Sequence, residues 1–302
     1  MKRDRRFVAA ILVSGMLLGT TGPAALLGPH AASPIALGVI RLQLGGLLIV
    51  AVLPALGGSR MNVLRLWRRP TVLAMSAALG LYQPLFLSAI SQAGVALGTL
   101  VAVGSAPVWT GLIAWATLRQ KPSRAWLLAT TIAVAGLVLR AWGHLDGPDV
   151  RGLVLAIVAG ALTGSYGVAG KVELGRGTIP IELPAAAGLL GGIVLAPALL
   201  AVPLGWVASA EGIVLLLYLG IFTMALANIL HILGLHRLQP GPVATLMLTA
   251  PLTATVVGVF VFGEALTPAS ASGAVLVLLG IALQGRATER DEASELESAP
   301  AM

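Results

Sequence analysis

Apolar residues in this chain come in long runs separated by short polar and basic stretches. A helix that crosses the hydrocarbon core of a bilayer needs about 20 predominantly apolar residues. Ten runs approach that length, at roughly 7–27, 34–57, 71–90, 94–117, 124–142, 150–172, 180–203, 211–234, 240–262 and 267–285. They predict transmembrane helices and consume nearly the whole chain. No soluble domain fits between them, which excludes ATP-binding cassettes and extramembrane catalytic domains.

The runs also repeat. Residues 105–139 lie over residues 249–283 without a gap, with identities at Ala106/Ala250, Pro107/Pro251, Ala125/Ala269, Gly136/Gly280 and Leu139/Leu283. Ser105/Thr249, Gln120/Glu264 and Ser123/Thr267 are similar pairs. The second and seventh runs correspond through Pro34/Pro180, Ile35/Ile181, Leu37/Leu183, Leu44/Leu190, Gly45/Gly191 and Gly46/Gly192, and Gly19-Thr20-Thr21-Gly22 lines up with Gly164-Ser165-Tyr166-Gly167. With five helices in each half, the second half enters the membrane from the opposite side. The fold class expected is therefore an all-α polytopic membrane protein, ten transmembrane helices as two inverted five-helix repeats, residues 7–142 and 150–285. Many secondary transporters are built this way, with the substrate site at the repeat interface. The halves are not strictly superposable: Gly220 to Pro251 is a step of 31 residues, against 27 from Gly80 to Pro107. Asymmetry is thus expected in the third and eighth helices. Residues 286–302 are mostly acidic and rich in small residues, and are expected to form a disordered tail.

Composition agrees with lipid as the main solvent: 57% of residues are hydrophobic and 10% charged, with mean hydropathy +0.94, against about 45–50% and about 25% in soluble domains. A formal charge of +7 would point to nucleic acid in a soluble protein, but here the basic residues are sorted by loop, and no nucleic-acid partner is expected. All of the Lys and Arg except Arg41, Arg140 and Arg151 fall at the amino terminus, after the even-numbered helices or in the tail. The positive-inside rule makes that face, with both termini, cytoplasmic. MKRDRR followed by an apolar run also fits a cleaved signal peptide with processing near His30 to Ser33; cleavage would leave the sixth helix without its repeat partner. Cysteine is absent, so there is no disulfide framework and no thiolate metal site or nucleophile.

The residues that could carry chemistry lie inside the runs. Pro107 and Pro251 each remove an intrahelical hydrogen bond, freeing the carbonyls of Val103 and Met247. Such groups are tolerated in a membrane only where protein or a water-filled cavity satisfies them. The two prolines are therefore read as hinges beside a central cavity, or else as bends made for packing. Arg41 sits inside the second helix, where a charge costs at least about 2.5 kcal/mol. It is either a structural anchor or the partner of a carboxylate or phosphate on a substrate. Asn228 and His231 share a face of the eighth helix, as interhelical glue or as a hydrogen-bonding site. Tyr82, Gln83, Trp109 and Tyr166 complete the candidate substrate-binding set by adding aromatic and polar groups at that depth. Lys171 and Glu182 are read as ordinary interface charges or as a gate pair. No catalytic set, metal site or cofactor is expected: HExxH, paired intramembrane aspartates and GxSxG are all missing.

At these residues the chain resembles the ten-helix, EamA-type branch of the drug/metabolite transporter superfamily. The resemblance covers residues 7–285 and rests on the two halves, Arg41, the glycine-flanked stretches of the first and sixth helices, and the SAPVWT…RQKPS and TAPLTA…GEALT segments. Members usually carry glutamate in the last motif; Glu264 keeps it, whereas Gln120 departs. The resemblance implies export of amino acids or related small metabolites across the bacterial inner membrane, through a cavity between the halves, by alternating access. The partners expected are a small-molecule substrate and membrane lipid, in a monomer or homodimer. The opposing reading is a non-transport membrane scaffold or lipid-handling protein.

Overall fold

A computed structural model describes residues 2–30, 32–93, 95–141, 149–263, 265 and 267–298. Glu264 and most of the expected half boundary, 142–148, lie outside the described residues. Among the described residues there is no strand. Among the described residues nine helical spans are long and apolar enough to cross a membrane: α1 (Arg5–Leu26), α2 (Pro34–Leu56), α3 (Pro70–Ile90), α4 (Gly98–Leu118), α6 (Val150–Gly175), α7 (Glu182–Ala201), α8 (Ala210–Arg237), α9 (Pro240–Phe262) and α10 (Pro268–Thr288). Between α4 and α6, where a fifth span is expected, Arg124–Leu139 is apolar but shorter; it is labelled α5. Helices satisfy their backbone polar groups internally, which lipid requires. Large apolar side chains face outward, Leu200 at 92% and Phe260 at 83% exposure, while Ala185, Ala186 and Ala187 are fully buried. Small residues line the interior, where helices approach closely.

Glycines mark the crossings, and they do so in matched pairs. In α1, Gly15 receives the Thr249 hydroxyl of α9, and Gly19 lies against the Ala250 carbonyl. In α6, Gly160 receives the Ser105 hydroxyl of α4, and Gly164 lies against the backbone of Trp109 and Thr110. Ser105 and Thr249 are the pair matched by sequence, so each half inserts the same hydroxyl into the other half's first helix. The α2–α7 crossing is reciprocal as well: Gly46 meets Leu189, and Gly192 meets Gln43. At the α5–α10 crossing, Gly136 meets the Gly273 carbonyl and Gly280 meets the Ala129 carbonyl. Residues seven apart are separated by about 10 Å along a helix. Both contacts of that last pair can form together only if α5 and α10 run antiparallel.

Irregularities fall in specific helices. α1 is interrupted at Thr20, between helices Lys2–Gly19 and Thr21–Leu26. α4 passes through Pro107 without a break, inside the helix Val95–Leu118. α9 is split into Pro240–Leu246 and Thr249–Phe262. Pro251 has no N–H to offer the Met247 carbonyl, and the Ala250 N–H takes it at 3.0 Å in a tighter turn. In α8, Leu219–Leu226 is π-helical, in the stretch where the longer Gly220-to-Pro251 step anticipates asymmetry. The helix begun at Pro268 continues to Ser298, over residues whose Ala, Glu, Arg and Leu are strong helix formers.

Candidate functional site

Two groups of buried polar side chains lie in the membrane interior. The first surrounds the break in α1. Arg41 of α2 is 8% exposed, and its Nη1 donates to Thr21 Oγ1 at 3.3 Å. Its Nε is sealed from solvent without a partner, and among the described residues no carboxylate pairs with it. Next to Thr21, the Thr20 hydroxyl donates to the Leu17 carbonyl at 2.7 Å and is 2.7 Å from the Tyr218 hydroxyl of α8. From α3, Tyr82 is an electrostatic neighbour of Arg41 and stacks on Phe86 with ring centroids 5.4 Å apart. The Gln83 side chain packs on Gly38, one turn of α2 before Arg41. A side chain at position 38 would press on Gln83, so glycine sets the α2–α3 approach here.

The second group joins α6 to α8. The Tyr166 hydroxyl donates to Asn228 Oδ1 at 3.1 Å, and Asn228 Nδ2 donates to the Met224 carbonyl at 2.8 Å. The His231 ring lies 5.9 Å from that of Tyr166, and its Nε2 is buried without a partner. Met224 belongs to the π-helical turn and is held by two glycines, Gly45 of α2 and Gly188 of α7. The wide turn therefore sets the register in which Asn228 and His231 meet Tyr166; π-bulges often occur at functional sites. The structure thus brings Arg41, Tyr82 and Gln83 together, and Tyr166, Asn228 and His231 together. Trp109 enters through its backbone, against Gly164, and is half-buried.

The charged residues at the end of the bundle are bonded differently. Glu173, near the end of α6, has no side-chain exposure and pairs with Arg69 and Arg176, each at 2.6 Å. It also accepts hydrogen bonds from Thr178 at 3.1 Å and from Thr71. These contacts tie the start of α3 to the end of α6. Lys171 does not pair with Glu182. Its Nζ donates to the carbonyls of Leu235 and Leu238 at 2.8 Å and of His236 at 3.3 Å, closing the end of α8, where a cation also suits the helix dipole. Glu182 accepts from the Ser59 N–H at 2.8 Å and Asn62 Nδ2 at 3.2 Å, holding the start of the short helix Arg60–Leu66. Sequence reasoning passed over Glu173, which directly follows the sixth apolar run and reads there as a solvated charge, and it did not single out Thr20, Thr21 or Tyr218 as site residues.

Both halves of the chain, residues 6–142 and 150–285, match the model of the EamA-like transporter family. The chain belongs to that family. It is 33% identical over 286 residues to the "Uncharacterized transporter YwfM" of Bacillus subtilis (strain 168), covering 94% of this chain and 95% of that protein. A solved structure described as "Crystal structure of protein" superposes with a TM-score of 0.78 at 22% identity, covering 95% of this chain and 98% of its own, a likeness of fold. As an EamA-like protein the chain is an integral membrane transporter, which implies a small-molecule substrate.

Proposed function

We propose that this transporter exports amino acids or related small metabolites bearing a carboxylate, by alternating access across a bacterial inner membrane. Arg41 carries the reading: a guanidinium 8% exposed, with Nε unpartnered and a 3.3 Å bond to Thr21, beside a break in α1. A buried cation is costly without compensation, and a carboxylate arriving with the substrate supplies it through paired charge-assisted hydrogen bonds. Tyr82 and Gln83 flank that anchor. Tyr166, Asn228 and His231 hold the rest of the substrate, His231 through its free Nε2. Pro107 and Pro251 are the hinges. The antiparallel α5–α10 crossing and the exchanged Ser105/Gly160 and Thr249/Gly15 contacts support two inverted five-helix repeats.

Transport in proteoliposomes tests the anchor, using amino acids and the corresponding decarboxylated amines. Arg41→Lys keeps the charge and loses the bidentate fork, so amino-acid transport should fall roughly tenfold or more, the weight of a hydrogen bond to a charged group, with amines little affected. Amino-acid transport by Arg41→Gln equal to that of the parent would sink the assignment. The orientation, both termini cytoplasmic, predicts that a periplasm-dependent phosphatase is active when fused after residue 146 and inactive after residue 290; the opposite result reverses it.

A further inference from the structure

At the basic end, outside both interior groups, the two halves enclose a cavity of about 120 Å³. Gln120, Lys121 and Ser123 line it from the α4–α5 loop, and Arg237 and Gln239 from the α8–α9 loop. Trp126 forms part of the wall at 6% exposure, seated where Gly111 and Gly241 leave room for its ring. Its indole N–H is buried and unpartnered, which is unfavourable while it stays so. The loop begins with Arg119 at φ 56°, in the left-handed region that residues other than glycine seldom adopt. Arg237 is held with its guanidinium carbon 5.9 Å from the Phe7 ring centroid. Among the described residues the lining contains two cations and no carboxylate.

We propose that this cavity binds the phosphate of an anionic phospholipid headgroup from the leaflet at the basic end. Two cations brought together at a membrane surface attract anionic lipid, and a phosphodiester accepts hydrogen bonds from Lys121, Arg237, Ser123 and, after a small shift of the ring, the Trp126 N–H. Each half contributes one cation, so a bound headgroup bridges α4–α5 to α8–α9. The site is separate from the Arg41 region and does not depend on what is transported.

Native mass spectrometry of the full chain released from neutral detergent tests this, with phosphatidylglycerol and phosphatidylcholine titrated separately. Phosphatidylglycerol should bind at least about tenfold more tightly, and Lys121→Gln with Arg237→Gln should reduce it to the level of phosphatidylcholine. Because Arg237 also packs on Phe7, Lys121→Gln alone is the companion variant; Lys121 is exposed, and its loss should weaken phosphatidylglycerol several-fold at an unchanged melting point. Trp126→Phe removes the N–H together with part of the bicyclic ring, so it should also weaken phosphatidylglycerol, with some fall in melting point from the space left behind. Equal binding of the two lipids by the parent, or an unchanged preference in the double variant, overturns the proposal. So does inorganic phosphate raising the melting point as much as phosphatidylglycerol does, since the site would then take a free anion.

Discussion

The carboxylate of Glu173 is sealed from solvent and surrounded by two guanidiniums and two hydroxyls, and Lys171 spends its ammonium on three backbone carbonyls. In the interior, Arg41 Nε and His231 Nε2 are sealed as well, yet have no partner. An unsatisfied buried donor or acceptor costs about 1–3 kcal/mol, more for a charged group. Native structures carry few such groups, and each calls for a cause. At the end of the bundle, Glu173 and Lys171 fasten helix ends; around Arg41 and His231, hydrogen-bonding capacity is left over, which supports the binding role proposed for them. Saturation marks structure and spare capacity marks binding, a division that mutations at the two levels can break.

The largest effect belongs to the saturated end. Glu173→Ala removes the acceptor for four donors and leaves Arg69 and Arg176 facing each other. The two arginines left behind are 45% and 53% exposed and can be solvated, so the cost is about 1.5–3 kcal/mol, the scale of hydrogen bonds to a charged group. The melting point of the purified protein in detergent should fall steeply, and Glu173→Gln, which can still accept hydrogen bonds, should fall less. A melting point equal to the parent's would show that the network fastens nothing. Arg41→Gln gives the contrast: it removes a poorly satisfied charge, so stability should hold while amino-acid transport drops.

A smaller, purely functional effect is expected at the two prolines. α9 is split just ahead of Pro251, whereas α4 runs unbroken through Pro107. Replacing both by alanine lets each helix close its missing hydrogen bond and favours straight helices. Uptake into proteoliposomes should slow several-fold with the yield of folded protein unchanged, and most of the loss should follow Pro251→Ala, where the break lies. Parent-level transport by the double variant would reduce both prolines to packing features.

Much of the fold was legible because lipid imposes it. Runs of apolar residues had one available structure, and the spans match them apart from the shorter α5. The repeat was readable at Ser105/Thr249 and Gly136/Gly280 because each of those residues sits at a helix crossing, where size is fixed by the opposing backbone. The site was legible only by residue type. Arg41, Asn228 and His231 stood out as polar residues in apolar runs, but which helices they meet depends on interhelical geometry that no local pattern encodes. The break at Thr20, which gives Arg41 a partner, lies in the turn ahead of Pro23, which has no N–H for the Gly19 carbonyl, a local signal that the sequence reading left unused. The π-helical turn was foreshadowed only by a spacing difference between halves. Glu173 was missed because a carboxylate near a helix end reads as a solvated charge until Arg69, 104 residues away, is placed beside it.

The smallest effect sharpens the comparison at its middle ground, Tyr166, whose hydroxyl is bonded to Asn228 and whose ring lies 5.9 Å from that of His231. Tyr166→Phe removes one neutral hydrogen bond to Asn228 and preserves the ring against His231. Asn228 keeps its own bond to the Met224 carbonyl, so the α6–α8 contact stays in place. The loss should be about 1 kcal/mol. If Tyr166 belongs with Arg41 to the binding set, that amount appears as a roughly fivefold rise in the KM for transport, with little change in melting point. If it belongs with Glu173, the same amount appears as lost stability and KM stays where it was. The expected outcome is the first, because the hydroxyl proposed to face the substrate is lost while Asn228 stays in place through the Met224 carbonyl. A lowered melting point with unchanged KM would move Tyr166 and Asn228 out of the binding set and leave Arg41 and His231 as its remaining open groups.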